Sequence, residues 1–97
     1  MSAPVDVDAL AATITAAWMD VTESRPALVE IVIAGGADGW RATVFGGQPP
    51  YLAVREPSHT IARALTRLGW AVMDVAARKG RAQLQLALEL GEREVSL

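Results

Sequence analysis

The sequence predicts a small α+β domain: an antiparallel sheet with helices packed on one of its faces. A chain of 97 residues has the usual length of one domain. Residues 6–21 and 57–79 carry apolar side chains at helical spacing, and β-branched residues and glycine turns lie between them. We therefore expect a single domain over residues 1–97, with the element order α-β-β-β-α-β.

The first helix is predicted over residues 6–21. Asp6 is a suitable N-cap, and Asp8 places negative charge in the first turn, where the helix dipole favours it. Seven apolar residues share one face, namely Val7, Leu10, Ala11, Ile14, Ala17, Trp18 and Val21. The opposite side is weakly polar, which indicates a helix partly covered on both sides; it holds Ala9, Ala12, Ala16 and Met19.

Three strands in a meander are predicted to follow, over residues 28–34, 40–45 and 51–55. The first is a β-branched run with Glu30 as its only charge. Asp38 and Gly39 supply the positive φ that a tight hairpin needs. Trp40 shares a strand face with apolar residues, so we expect it in the core or at its edge.

The second helix is predicted over residues 57–79. Pro57 suits a first turn, with Glu56 or Ser58 as the cap, and Gly80 ends the helix. Its apolar stripe consists of Ile61, Ala64, Leu65, Leu68, Ala71, Val72 and Val75.

The last segment, residues 82–90, has conflicting signals. Its leucines alternate with more polar residues, which is the period of a strand, although its residue types are good helix formers. A helix would scatter the leucines around its circumference, so the period favours a strand. We expect the chain ends, residues 1–5 and 91–97, to be flexible.

Composition excludes several classes of protein. Hydrophobic residues make up 52% of the chain and charged residues 21%, which is unlike a disordered segment and suggests that part of the apolar surface contacts another chain. The longest apolar run contains Asp8 and Asp20 and is too short for a membrane span. There is no cysteine and no secretory signal at the start of the sequence, so a cytoplasmic protein is the expectation. The abundance of Ala, Arg, Val and Gly with a single lysine suggests a GC-rich genome, and we expect a bacterial source.

The charges are unevenly distributed. Residues 1–54 hold two cations and six anions, residues 55–81 six cations and two anions, and residues 82–97 one cation and three anions. The basic segment is either a surface for an acidic partner or pairs with the acidic segments within the fold. A nucleic-acid interface would use its cations Arg63, Arg67, Arg78, Lys79 and Arg81.

The sequence offers no catalytic, metal or cofactor constellation. His59 is the only histidine, and its neighbours Ser58 and Thr60 are explained by helix capping and turn chemistry. A single histidine with scattered carboxylates is a weak metal site. Two groups of glycines, in residues 35–39 and 46–47, could be mistaken for phosphate-binding loops. Both precede predicted strands, whereas phosphate-binding loops lead into a helix. We therefore expect neither an enzyme nor a cofactor-binding protein.

The order helix, three strands, helix resembles that of double-stranded RNA-binding domains. In that family the second helix opens with a lysine cluster on the phosphates, whereas residues 57–60 here read Pro-Ser-His-Thr. The part from the first strand onward also looks like the antitoxin subunit of HicA–HicB systems, with the hairpin Asp38-Gly39-Trp40 in a similar position. That family's Pro-Asp-Leu-Pro-Gly-type segment is replaced by residues 45–50. These resemblances imply nucleic-acid binding or inhibitor-like protein binding, respectively.

Opposite the apolar stripe of the second helix lies an unusual set of residues centred on Trp70. It is either a second buried face or a partner-binding surface, because tryptophan and arginine dominate interface hot spots. The candidate residues are Arg63, Thr66, Arg67, Trp70, Met73 and Asp74.

We expect a non-catalytic protein-binding module such as an inhibitor, antitoxin-like subunit or adaptor. The alternatives are a nucleic-acid-binding domain and a self-assembling subunit. The partner is another protein or a second copy of the chain, and the high apolar content predicts a homodimer.

Overall fold

The computed structural model describes residues 6–23, 29–46, 51–81 and 83–95, with side chains in the last range described up to residue 90. The elements are α1 (Val7–Thr22), β1 (Glu30–Gly36), β2 (Gly39–Phe45), β3 (Tyr51–Ala53), α2 (Ile61–Arg78) and α3 (Leu84–Val95). The α+β fold class is confirmed, and the first five elements follow in the predicted order. Residue 28 of the first predicted strand, the turn residues 47–50 and the ends 1–5 and 96–97 lie outside the described residues.

Helix α1 begins and ends by side-chain and backbone capping. The Asp6 carboxylate accepts a hydrogen bond from the Ala9 amide at 3.0 Å, which confirms the predicted N-cap. At the other end Glu23 adopts a left-handed conformation with a φ of 55°. The buried face of α1 holds Leu10, Ile14, Ala17, Trp18 and Val21. The Trp18 indole Nε1 also donates to the Gly46 carbonyl at 2.9 Å, which ties α1 to the end of β2.

The three strands form one antiparallel sheet in the order β1-β2-β3. A two-residue turn joins β1 to β2, with Gly36 opposite Gly39. In that turn the Asp38 carboxylate accepts a hydrogen bond from the Arg41 guanidinium at 2.7 Å. This hydrogen bond lowers the pKa of the Asp38 carboxyl below its ordinary value.

Helices cover one face of the sheet. Ala42 and Val44 on the central strand are fully buried, and the inward side chains Ile31, Ile33 and Leu52 on the edge strands pack partly buried against the same core. The alternate residues of each strand point to the opposite, exposed face, as the period of two requires. Trp40 also packs at the edge of the core, as predicted.

Helix α2 begins later than predicted. Its N-cap is Thr60, whose hydroxyl accepts a hydrogen bond from the Arg63 amide at 3.1 Å, so the prediction of Glu56 or Ser58 as cap was wrong. The reason lies in the sheet: the Ser58 amide and carbonyl both bond to the backbone of Trp40 at 2.8 Å. Ser58 therefore continues the sheet edge and cannot enter a helix. Gly80, with a φ of 71°, follows the helix end as expected.

The last segment is a helix, not the predicted strand. Residues 84–95 form α3, so the element order is α-β-β-β-α-α. Leu86 and Leu90, four residues apart, are buried in the core, whereas Leu84 and Leu88 are exposed. Helix propensity therefore prevailed over the alternation, because two inward leucines suffice to hold a helix against the core. Leu90 packs at Gly69 of α2, where an added β-carbon would lie 3.1 Å from the leucine methyl.

Truncating the two kinds of leucine distinguishes helix from strand. Leu86 is 1% exposed and Leu88 is 66% exposed. We expect Leu86→Ala to lower the free energy of unfolding by about 2–5 kcal/mol, because it leaves a core cavity, and Leu88→Ala to change it by less than about 0.5 kcal/mol. Urea denaturation measures both. Equal large losses would contradict the helix, since a strand would place both leucines on one face.

Two glycines with positive φ provide a second comparison. A β-carbon on Gly39, whose φ is 131°, would lie 2.5 Å from the Ser58 carbonyl oxygen, whereas one on Gly80, whose φ is 71°, would meet nothing within 4 Å. We expect Gly80→Ala to cost about 1 kcal/mol of stability and Gly39→Ala clearly more, about 2–4 kcal/mol, because strain and steric overlap add. Thermal unfolding of the two variants measures the difference; similar costs would show that Gly39 does not approach Ser58 closely.

Candidate protein-contact surface on α2

The six candidate residues lie on one side of α2. Their spacing of three and four residues repeats from 63 to 74, which places all of them within about a third of the helix circumference. We call this surface the Trp70 face; it comprises Arg63, Thr66, Arg67, Trp70, Met73 and Asp74. The opposite side of the helix is buried and consists of Ala64, Leu65, Leu68, Gly69, Val72 and Ala76.

Trp70 is the apolar centre of this face. It is 42% exposed, so it is not a wholly buried core residue. Met73, one turn further along, is half-buried and packs against the core. The indole thus lies on the surface with the partly covered thioether beside it, which is an arrangement that a partner could cover without unfolding the domain.

Polar side chains surround Trp70, and most of them are held in place. The Thr66 hydroxyl donates to the Ala62 carbonyl at 2.8 Å within the helix. Arg67 donates to the Pro57 carbonyl at 3.3 Å and lies 3.6 Å from the Glu56 carboxylate. Asp74 pairs with Arg78 at 2.8 Å. Arg63 is exposed and forms no ion pair with any described residue.

The basic residues after α2 bind the C-terminal end of α1. The Arg81 guanidinium donates to the Asp20 carbonyl at 2.8 Å and to the Glu23 carboxylate at 2.6 Å. The Lys79 ammonium donates to the Val21 carbonyl at 3.3 Å. The last turn of α1 contains no basic residue of its own, so these two cations supply the positive charge that a helix C-terminus favours. The acidic and basic segments of the chain therefore pair here within the fold.

Sequence reasoning missed two further groups of exposed apolar residues. On the outer face of the sheet, Val32, Phe45 and Tyr51 are exposed, and the Phe45 and Tyr51 rings lie 6.1 Å apart. On α3, Leu84 and Leu88 are exposed. The strand alternation that predicted an inward Trp40 also predicts an outward Phe45. The exposure of Leu84 and Leu88 could not be predicted, because the segment was taken for a strand.

Ser58 and His59, the residues nearest to catalytic chemistry in the sequence, are not hydrogen-bonded to each other. His59 is exposed, and no group of three metal-ligating side chains occurs among the residues the structure describes. The Ser58 hydroxyl is buried and has no hydrogen-bond partner among them, so no described base is positioned to activate it. An open groove of about 280 Å³ lies between α1 and α3, and none of the described residues that line it is charged.

None of the described helices is both long and apolar enough to cross a lipid bilayer. The fold and the surface together define the class: a small α+β domain with an exposed tryptophan on its longest helix. Comparisons of the chain with protein-family models, with curated proteins and with solved structures found no match. Its function therefore has to be inferred from its own residues.

Tryptophan fluorescence can check the geometry of this face. The chain has three tryptophans, of which Trp18 is 4% exposed, Trp40 is half-buried and Trp70 is 42% exposed. We expect Trp70→Phe to remove most of the emission that iodide quenches, because a dissolved anion reaches only exposed indoles. Trp18→Phe is the matched control and should leave the quenchable emission unchanged. A quenchable emission that is the same in Trp70→Phe as in the wild type would show that Trp70 is covered.

Proposed function

We propose that the protein is a small non-catalytic protein-binding module, and that its partner binds the Trp70 face of α2. The observation that carries the proposal is the 42% exposure of Trp70 in the middle of a helix whose other side is fully used by the core. Tryptophan is the residue type most enriched among binding hot spots, and it is costly to leave in water.

The exposed area of Trp70 determines how much further contact a partner must form. The exposed part of a tryptophan at this accessibility is on the order of 100 Å², and covering it is worth roughly 2–3 kcal/mol. A micromolar complex needs about 8 kcal/mol, so Trp70 alone cannot hold a partner. The partner has to cover Met73 as well and form polar contacts with the rim, where exposed Arg63 favours an acidic group.

The contacts of the cations in the basic segment also support a protein partner over a nucleic acid. Affinity for nucleic acid comes mainly from cations free to neutralise phosphates. Of the five cations that such an interface would use, Arg67, Arg78 and Arg81 form ion pairs with carboxylates. A fourth, Lys79, donates to a helix carbonyl. Only Arg63 of these five is exposed and unpaired among the described residues, and a single cation contributes little affinity for phosphates.

A capture experiment with matched variants tests the proposal. The full-length chain is immobilised and exposed to a host-cell lysate alongside its Trp70→Arg and Leu84→Arg variants. Both substitutions place the same charge on an exposed apolar position of a helix, but only one lies on the Trp70 face. We expect a protein that is retained by the wild type and by Leu84→Arg and is lost, at least about tenfold, with Trp70→Arg.

Circular dichroism and thermal unfolding establish whether Trp70→Arg keeps the fold. If that variant unfolds, Trp70 stabilises the core and the proposal is wrong. Equal retention by all three chains would place the contact elsewhere. Co-elution of material absorbing at 260 nm, lost with Arg63→Glu and steeply dependent on salt, would favour nucleic acid instead.

A further inference from the structure

The outer edge of β1 presents, in a defined pattern, backbone groups that no described strand pairs with. On β2 the Trp40 amide and carbonyl bond to Ser58, and the Ala42 carbonyl accepts from the Val54 amide, so these residues direct their backbone groups toward the β3 side. In an antiparallel pair, directly opposite residues either exchange both hydrogen bonds or neither. The β1 residues opposite Trp40 and Ala42 therefore form no backbone hydrogen bonds with β2.

Those β1 residues are Gly35 and Ile33, and Ile31 follows in the same alternation. Their amides and carbonyls point away from β2, to an edge where no described strand pairs with β1. β1 is seven residues long, contains no proline and carries one charge, Glu30. An edge strand with these properties is a template for pairing with another strand.

We propose that β1 pairs antiparallel with β1 of a second copy of this chain, with Val32 opposite Val32 on the twofold axis. Ile31 of each copy then lies opposite Ile33 of the other, and these two pairs exchange four backbone hydrogen bonds through the outward-directed groups. The two sheets become one six-stranded sheet. This interface is separate from the Trp70 face and does not depend on the proposed function.

Side chains on both faces support this register. Ile31 and Ile33 are only half-buried on the helix side of the sheet, and each would gain an isoleucine of the second copy as its cross-strand neighbour. On the outer face Val32 is 39% exposed and would pack against Val32 of the second copy. Apolar contacts thus form on both sides of the new strand pair.

Opposite charges also approach each other in this register. Glu30 of one copy lies opposite Ala34 of the other, and Ala34 is paired with Arg41 within its own sheet. Glu30 and Arg41 are then two strand spacings apart, about 10 Å between α-carbons, with a single alanine between them, a separation that their long side chains span. The Arg41 guanidinium also bonds to the Asp38 carboxylate and to the Arg55 backbone carbonyl, so Glu30 of the second copy would approach a cation that is already fixed in place.

The contact is one strand edge, which is smaller than the roughly 800 Å² per partner of a standard interface. We therefore expect a dimer that dissociates with dilution, with a dissociation constant on the order of 1–100 μM. Sedimentation velocity of the full-length chain from about 1 μM to 1 mM covers that range.

The test compares Val32→Lys with Ala53→Lys. Both residues are exposed and lie in the same cross-strand row of the outer face, but Ala53 is on the opposite edge strand, β3. Val32→Lys sets two ammonium groups directly opposite each other on the twofold axis. We expect it to weaken the dimer at least about tenfold and Ala53→Lys to leave it unchanged. Circular dichroism confirms that both variants fold.

Amide hydrogen exchange provides an independent readout. Above the dissociation constant, the Ile31 and Ile33 amides should exchange more slowly than in dilute protein, because they donate to the second copy only in the dimer. A monomer at all concentrations overturns the proposal, and so does a dimer that Ala53→Lys weakens equally, which would indicate stacking of the outer sheet faces. A dimer lost with Trp70→Arg and retained with Val32→Lys also overturns it.

Discussion

The packing of α2 is the constraint on which the rest of the structure depends. One stripe of this helix contacts α1, α3, β2 and β3, so nearly every element buries its apolar face against it. Gly69 allows Leu90 of α3 to approach the helix closely. Because this stripe serves the whole core, the far side of α2 is left with no described element to cover Trp70. Exposure of that tryptophan follows directly from how the core is built.

Hydrogen bonds and ion pairs of charged side chains also hold the end of α2 against α1. The residues that follow α2 return to the C-terminal end of α1, where Arg81 and Lys79 meet its carbonyl groups and the carboxylates Asp20 and Glu23. Two cations of the basic segment thereby neutralise the acidic C-terminal end of α1. Part of the uneven charge distribution along the chain is consequently satisfied within the fold, and it is a weaker sign of an acidic ligand than the sequence indicated.

The prediction for residues 82–90 shows where a local pattern is insufficient. An alternation of leucine with other residues produces a strand only if the segment lies beside a strand edge that accepts its backbone hydrogen bonds. The sheet has three described strands, and the final segment packs on α1 and α2 instead. A helix satisfies its own backbone, so this segment needs only Leu86 and Leu90 for its contact with the core. The other two leucines are exposed as a result.

The sequence alone determined the fold class, the first five elements and the shared side of the six candidate residues, because periodicity, capping and turn chemistry act between near neighbours. Asp6 and Gly80 mark helix ends through such local signals. The tertiary structure decided the late start of α2, since Ser58 is bonded to Trp40, a residue far along the chain. It also decided the exposure of Trp70 and left β1 with an edge that no described strand covers. Burial and strand pairing depend on which distant elements meet, and no local pattern contains that information.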